Sequence, residues 1–150
     1  MFYIKSVSTL TPGTFSQCDI SHIVINNTIP PNLVDSDDYP NEEGGQKRCI
    51  FSYNTSLSGI YVPDSAVSSY KTAWGTVLST TRVVNDTYLS QDIIKPISSL
   101  NNGVIYATEN DWISDGRPSA LITEYMGLST ADLATFVSAN NLTYYTPPSS

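Results

Sequence analysis

Short runs of β-branched and aromatic residues, separated by turn residues, mark the N-terminal part of the chain. Residues 2–25 alternate in places between inward and outward positions, and a Thr-Pro-Gly-Thr turn interrupts them at 11–14. Two further runs of this kind lie at residues 48–53 and 59–62. The pattern predicts a set of short strands in this part of the chain.

The apolar spacing changes to a helical period after residue 62. Pro63 and Asp64 are typical of a helix start, with Asp64 as the capping residue, and Gly75 is typical of a helix end. Between them, apolar residues recur every three or four positions. These residues are Ala66, Val67, Tyr70, Ala73 and Trp74. We therefore predict a helix over 65–74 with one apolar face.

The segment that follows favours extended structure. Residues 77–89 are rich in Thr and Val, and residues 93–100 are joined to 104–106 by Asn101-Asn102-Gly103. Because Asn-Gly tolerates the positive φ of a tight turn, the pattern predicts a β-hairpin. Pro96 places its first strand at the edge of a sheet, since proline donates no ladder hydrogen bond.

Two short helices are predicted near the C-terminus. Residues 121–126 fit one helix that ends at Gly127, and Ser129 with Asp132 fits a capping box that opens a second helix, which ends at 140–141. We therefore expect an α+β fold: a small mixed sheet of short strands with one helix, followed by a C-terminal helical hairpin. The expected organisation is a β-rich region over 1–99, and a hairpin, two helices and a tail over 100–150.

The middle of the chain resembles a known family. The run GIYVPDSAVSSYKTAW at 59–74, the IKPI at 94–97, and the upstream IVI at 23–25 and TIPPNL at 28–33 look like the closing segment of BspA-like leucine-rich repeat proteins, which are common in Bacteroidales and their phages. The resemblance covers roughly residues 21–98 and implies a binding or scaffolding module without catalytic residues. Family members stack many repeats, and only one unit is recognised here. The remaining stretches, or a partner chain, must therefore cover its open face.

The charge balance argues against nucleic acid as a partner. The chain has 150 residues, 14% of them charged, and a net charge of −7, which is the wrong sign for contacts to phosphate. No apolar segment is long enough for membrane insertion, and no secretory leader is visible, so synthesis in a bacterial host cytoplasm is expected. In that reducing compartment Cys18 and Cys49 are expected to remain unpaired thiols.

Candidate chemistry is sparse. His22 is the only histidine, which excludes catalytic triads and two-histidine metal sites within one chain and leaves a structural role for His22. We predict no enzyme activity and no cofactor. The acidic segment 35–46 is expected to be a solvated loop. Calcium is the alternative there, although Pro40 stands where an EF-hand loop needs glycine.

These features favour a non-enzymatic structural or interaction protein. We expect a virion component (head-fibre, capsid-associated or tail protein) of a Bacteroidales phage, whose partners are other virion proteins or further copies of itself. The expected partner-binding residues are Phe2, Tyr3, Ile4, Tyr144 and Tyr145, which lie in terminal segments too short to be stable alone. The alternative is a bacterial surface adhesin or carbohydrate-binding module, in which tyrosines would stack on a glycan.

Overall fold

The structure, a computed structural model, describes residues 1–11, 14–15, 19–34 and 50–148. The acidic segment 35–46, with its calcium alternative, and both Cys18 and Cys49 lie outside these residues.

Helices and short strands alternate along the described chain, so the α+β expectation is confirmed. The strands are β1 (Phe2–Ile4), β2 (Thr9–Leu10), β3 (His22–Ile25), β4 (Asn32–Leu33), β5 (Gly59–Val62), β6 (Arg82–Val84), β7 (Thr87–Tyr88), β8 (Ile94–Pro96), β9 (Val104–Ile105) and β10 (Thr143–Tyr144). The α-helices are α1 (Val67–Ser79), α2 (Glu109–Ser114) and α3 (Thr130–Ala139). Single turns of 3-10 helix lie at Asp64–Ala66, Gln91–Ile93 and Thr123–Tyr125, and an interrupted one at Ile97–Gly103.

The main sheet is a parallel stack of four strands in the order β1-β3-β5-β8. Ile23 of β3 pairs with Phe2 of β1 on one side and with Ile60 of β5 on the other. β2 and β4 add a second parallel ladder between the same N-terminal segments that β1 and β3 join. Residues 1–11 therefore extend the parallel stack that β3, β5 and β8 form.

One face of the sheet packs against α1 and forms the larger core. Tyr70 and Trp74 are fully buried there, and each ties α1 to the segment after β3 with a side-chain hydrogen bond. The Tyr70 hydroxyl donates to the carbonyl of Asn27 at 2.8 Å, and the Trp74 indole N–H donates to the carbonyl of Pro31 at 3.0 Å. The predicted apolar face of this helix is therefore the centre of the core.

The opposite face of the sheet packs against residues 97–142. Val24 and Tyr61, which point away from α1, share a second buried cluster with residues of the C-terminal part. The other buried members are Ile97, Leu100, Ile105, Leu121, Met126, Phe136 and Leu142. The chain thus covers both faces of its own sheet, and the second cluster draws residues from both sides of position 100.

Several local predictions are wrong. α1 continues past Gly75 to Ser79, because Leu78 extends the buried stripe of Tyr70 and Trp74 by one more turn. Of the predicted strand at 48–53, residues 50–53 form turns instead, and residues 48–49 lie outside the described residues. Residues 121–126 contain one 3-10 turn, preceded by a bridge between Tyr106 and Ile122.

The predicted β-hairpin over 93–106 is also wrong. Asn101, Asn102 and Gly103 do adopt positive φ, of 52°, 54° and 80°. The strand that follows them pairs with β10 rather than with β8. Among the described residues, antiparallel pairing is confined to β6 and β7.

Candidate interaction surfaces

Among the described residues, no strand pairs with the outer edge of β1. The Ile4 carbonyl accepts a hydrogen bond from the backbone N–H of Asn26 at 2.9 Å, so Ile4 faces β3. Because successive residues of a strand direct their backbone groups to opposite sides, the N–H and C=O of Tyr3 point away from the sheet. β1 therefore offers unpaired backbone groups to another extended segment.

The three side chains predicted for partner binding on β1 have different surroundings. Phe2 is 45% exposed and packs edge-on against Phe15, with ring centroids 5.3 Å apart. Ile4 is half-buried against the larger core. Tyr3 packs against the second cluster. Of the three, Phe2 alone is exposed, and Tyr3 and Ile4 are half-buried.

The hydroxyl of Tyr3 is buried without a hydrogen-bond partner. Its pKa lies above the usual value, because burial disfavours the phenolate. The nearby Asn26 side chain lowers the pKa of Tyr3 in part, but its position does not meet the geometry of a hydrogen bond to the Tyr3 hydroxyl. Tyr3 thus contributes its backbone edge to a contact surface, whereas its ring belongs to the core.

The two predicted tail residues lie in a separate sheet. Tyr144 is 40% exposed in β10, whereas Tyr145 packs its ring on Tyr106 at 5.3 Å and donates its N–H to the carbonyl of Ile105 at 2.8 Å. Beside Tyr144, a groove of about 550 Å³ follows α3, and no charged residue lines it. Leu133, Val137 and Leu142 supply its apolar wall.

A cleft of about 340 Å³ lies between the carboxyl ends of β1, β3 and β5 and helix α3. Lys5 closes one side by donating from Nζ to the carbonyl of Gly127 at 2.9 Å. Deeper in, the Asn140 side-chain oxygen accepts from the N–H of Asp64 at 2.9 Å. The cleft is therefore a seam that joins the sheet to the C-terminal part.

Asp64 holds this seam together and does not cap α1 as predicted. Its carboxylate accepts from the N–H of Ser98 at 3.0 Å and from the side-chain amide of Asn141 at 3.2 Å. No side-chain hydrogen bond caps either the 3-10 turn or α1. In contrast, Ser129 caps α3 as predicted, accepting from the N–H of Asp132 at 3.1 Å.

His22 is half-buried, and its ring stacks on Tyr61 at 5.8 Å. Its hydroxyl neighbours are Ser21 at 2.8 Å and Ser58 at 3.4 Å. Burial lowers the pKa of His22, and the positive charges of the N-terminus and Lys95 lower it further. His22 therefore packs on Tyr61, and its structural role stays a prediction.

Two absences apply to the described part of the chain alone. Those residues include no group of three or more His, Cys, Asp or Glu that could hold a metal ion. None of the helices they form combines the length and the apolar character needed to cross a bilayer.

Sequence reasoning missed an exposed patch on the β6–β7 hairpin, where Arg82 lies over the ring of Tyr88 and beside Tyr53. The hairpin itself had a signal, because Asn85-Asp86 lies between runs rich in Val and Thr. The position of Tyr53 beside Arg82 had no sequence signal, because it depends on a backbone turn that is far from the hairpin in sequence.

Comparisons with known proteins add no relative to this description. The chain matches no family model, no curated protein and no solved structure.

Proposed function

We propose that the protein is a non-enzymatic interaction subunit that assembles through the open edge of β1. The observation that carries the proposal is the pairing geometry: Tyr3 directs its backbone N–H and C=O away from the sheet, next to the exposed ring of Phe2. An unpaired strand edge is a template for a further strand, and backbone hydrogen bonds supply much of the affinity in such contacts.

The resemblance of residues 59–74 and 94–97 to repeat proteins of Bacteroidales and their phages extends this proposal. The protein is then a virion component of such a phage (head-fibre, capsid-associated or tail protein), and its partners are copies of itself or other virion proteins. Low charge supports assembly, because charged residues are depleted from the centre of protein interfaces. Tyr144 and the apolar groove beside α3 are a second contact surface in this proposal.

Sedimentation velocity of the purified protein at high micromolar concentration tests the assembly. We expect an oligomer that Phe2→Lys dissociates, because a charge on an edge strand blocks further pairing. Ile29→Lys is the matched control, since Ile29 is 78% exposed and the charge change is the same. A wild-type protein that stays monomeric and binds no particle component would contradict the proposal. Absence of the protein from purified phage particles would contradict its virion part.

A truncation that tests the C-terminal tail must leave the core intact. Leu142 is buried in the second cluster, and β10 pairs with β9. Removing residues 142–150 would therefore damage the core as well as any contact surface. Removal of residues 146–150 leaves Leu142 and the β9–β10 pairing in place. This shorter truncation therefore tests whether the tail contributes to assembly.

A further inference from the structure

A patch of aromatic and cationic side chains is exposed beside the β6–β7 hairpin and is here called the Arg–Tyr patch: Tyr53, Arg82 and Tyr88. Arg82 and Tyr88 are paired directly across the hairpin. Tyr53 is 48% exposed and Tyr88 44%. Tyrosine and arginine are both enriched at the energetic hot spots of interfaces.

Arg82 has binding capacity that the fold leaves unused. Its guanidinium carbon lies 5.9 Å from the centroid of the Tyr88 ring, and Nη2 lies 3.4 Å from the Tyr88 hydroxyl. A guanidinium has five N–H donors. No carboxylate of the described residues forms an ion pair with it. The hydrogen bond to Tyr88 is the largest cause that raises the pKa of Arg82, and Tyr53 raises the pKa further. The guanidinium therefore remains cationic.

Tyr53 is held beside Arg82 in a strained backbone conformation. Its φ is +56°, in the left-handed region that bulky side chains rarely occupy. Its N–H donates to the carbonyl of Arg82 at 2.8 Å. Asparagines account for four of the other non-glycine residues with positive φ in the described chain, and they tolerate this region. Backbone strain of this kind concentrates at functional sites, where the required position of a side chain is kept despite the strain energy.

We propose that the Arg–Tyr patch binds a carboxylated sugar of the uronic or sialic acid type. The planar guanidinium of Arg82 pairs with the carboxylate, and the rings of Tyr53 and Tyr88 contact the sugar ring and its hydroxyl groups. The charge of Arg82 favours this ligand class. A chain with a net charge of −7 repels anions in general, so an anionic ligand needs an exposed cation without an ion-pair partner, and Arg82 supplies one.

The size of the patch favours a sugar over an acidic protein segment. Three side chains with one cation match one ring with one carboxylate. A stable protein contact instead buries about 800 Å² on each partner. This inference uses a surface distinct from β1 and does not depend on the assembly proposed above.

Titration of the full-length protein with methyl glucuronide and methyl glucoside, followed by NMR chemical shifts, tests the proposal. The two probes differ by the carboxylate alone. We expect the glucuronide to bind about tenfold or more tightly than the glucoside, as a hydrogen bond to a charged group implies. Arg82→Gln should remove this preference. Arg117→Gln, an equal charge change at another exposed arginine, should preserve it.

Tyr53→Gly separates binding from folding. Glycine tolerates a φ of +56° without strain, so this variant should melt at a higher temperature and yet bind the glucuronide more weakly. Equal binding of both probes, equal losses in Arg82→Gln and Arg117→Gln, or unchanged binding in Tyr53→Gly would overturn the proposal. A tetraglutamate peptide that binds at Arg82 more tightly than the glucuronide would also overturn it, in favour of a protein partner.

Discussion

Truncation of Trp74 to alanine tests the central packing of the molecule. Trp74 is 1% exposed, and its ring lies 4.9 Å from that of Tyr70 and 5.7 Å from that of Phe51. Its indole N–H donates to the carbonyl of Pro31 at 3.0 Å. The side chain therefore joins α1, residues 50–53 and the segment after β3 at one point.

The expected loss in the free energy of unfolding is about 4 to 5 kcal/mol. Replacing a buried tryptophan or phenylalanine by alanine costs about 3 to 5 kcal/mol, through lost transfer energy and the cavity that remains. Trp74 belongs in the upper part of this range, because its removal also leaves the Pro31 carbonyl without its donor. Since small domains are stable by about 5 to 15 kcal/mol, this loss is a large fraction of the total stability.

Urea unfolding followed by circular dichroism measures this loss. Trp74→Phe keeps an aromatic ring and removes the indole donor, so we expect a loss of about 1 to 2 kcal/mol. Trp112→Ala is the control, because Trp112 also donates to a proline carbonyl, that of Pro118 at 2.7 Å, but is only half-buried. A loss below about 1 kcal/mol for Trp74→Ala, with an unchanged denaturant slope, would refute the packing argument.

Two further predictions concern tyrosine ionisation and the seam at Asp64. Burial raises the pKa of Tyr70 far above its usual value of 10.0. The folded state therefore holds Tyr70 neutral while the unfolded chain ionises, so stability present below pH 10 is lost as the pH rises above it. Urea midpoints measured across that range should fall in the wild type and fall less steeply in Tyr70→Phe; parallel curves would be inconsistent with this reasoning. Asp64→Ala should lower the free energy of unfolding by about 1 to 3 kcal/mol, because it removes the acceptor for the Ser98 N–H. A hydrogen-exchange measurement should then show the loss of protection at Ser98, and unchanged exchange there would contradict the assignment.

The core around α1 could be predicted because its signal is local. Tyr70 and Trp74 stand four positions apart on one helix face, and this spacing alone places both in the interior. The end of the same helix could not be predicted from Gly75. The preference against helical glycine is about 1 kcal/mol, and burial of Leu78 on the next turn outweighs it.

Pairing between distant segments had no sequence signal. The turn residues Asn101 and Asn102 have the predicted positive φ. Turn chemistry, however, does not determine which strand a segment joins, and β9 pairs with β10 almost 40 residues later. Asp64 shows the same effect, since a typical helix-capping residue instead bonds Ser98 and Asn141. Of the five residues predicted to bind a partner, Phe2 and Tyr144 are exposed, whereas Tyr3, Ile4 and Tyr145 are half-buried. Their role in binding stays a prediction.

The seam at Asp64 implies an order of events when the chain folds. Contacts within the stack join residues such as Ser21 and Ser58, 37 positions apart, whereas the bond from Asp64 to Asn140 spans 76 positions. Doubling the length of a closed loop costs about 0.6 kcal/mol in chain entropy, so the stack has the kinetic advantage. Residues 97–142 then dock on a sheet that already exists, and under mechanical load at the C-terminus we expect them to detach first.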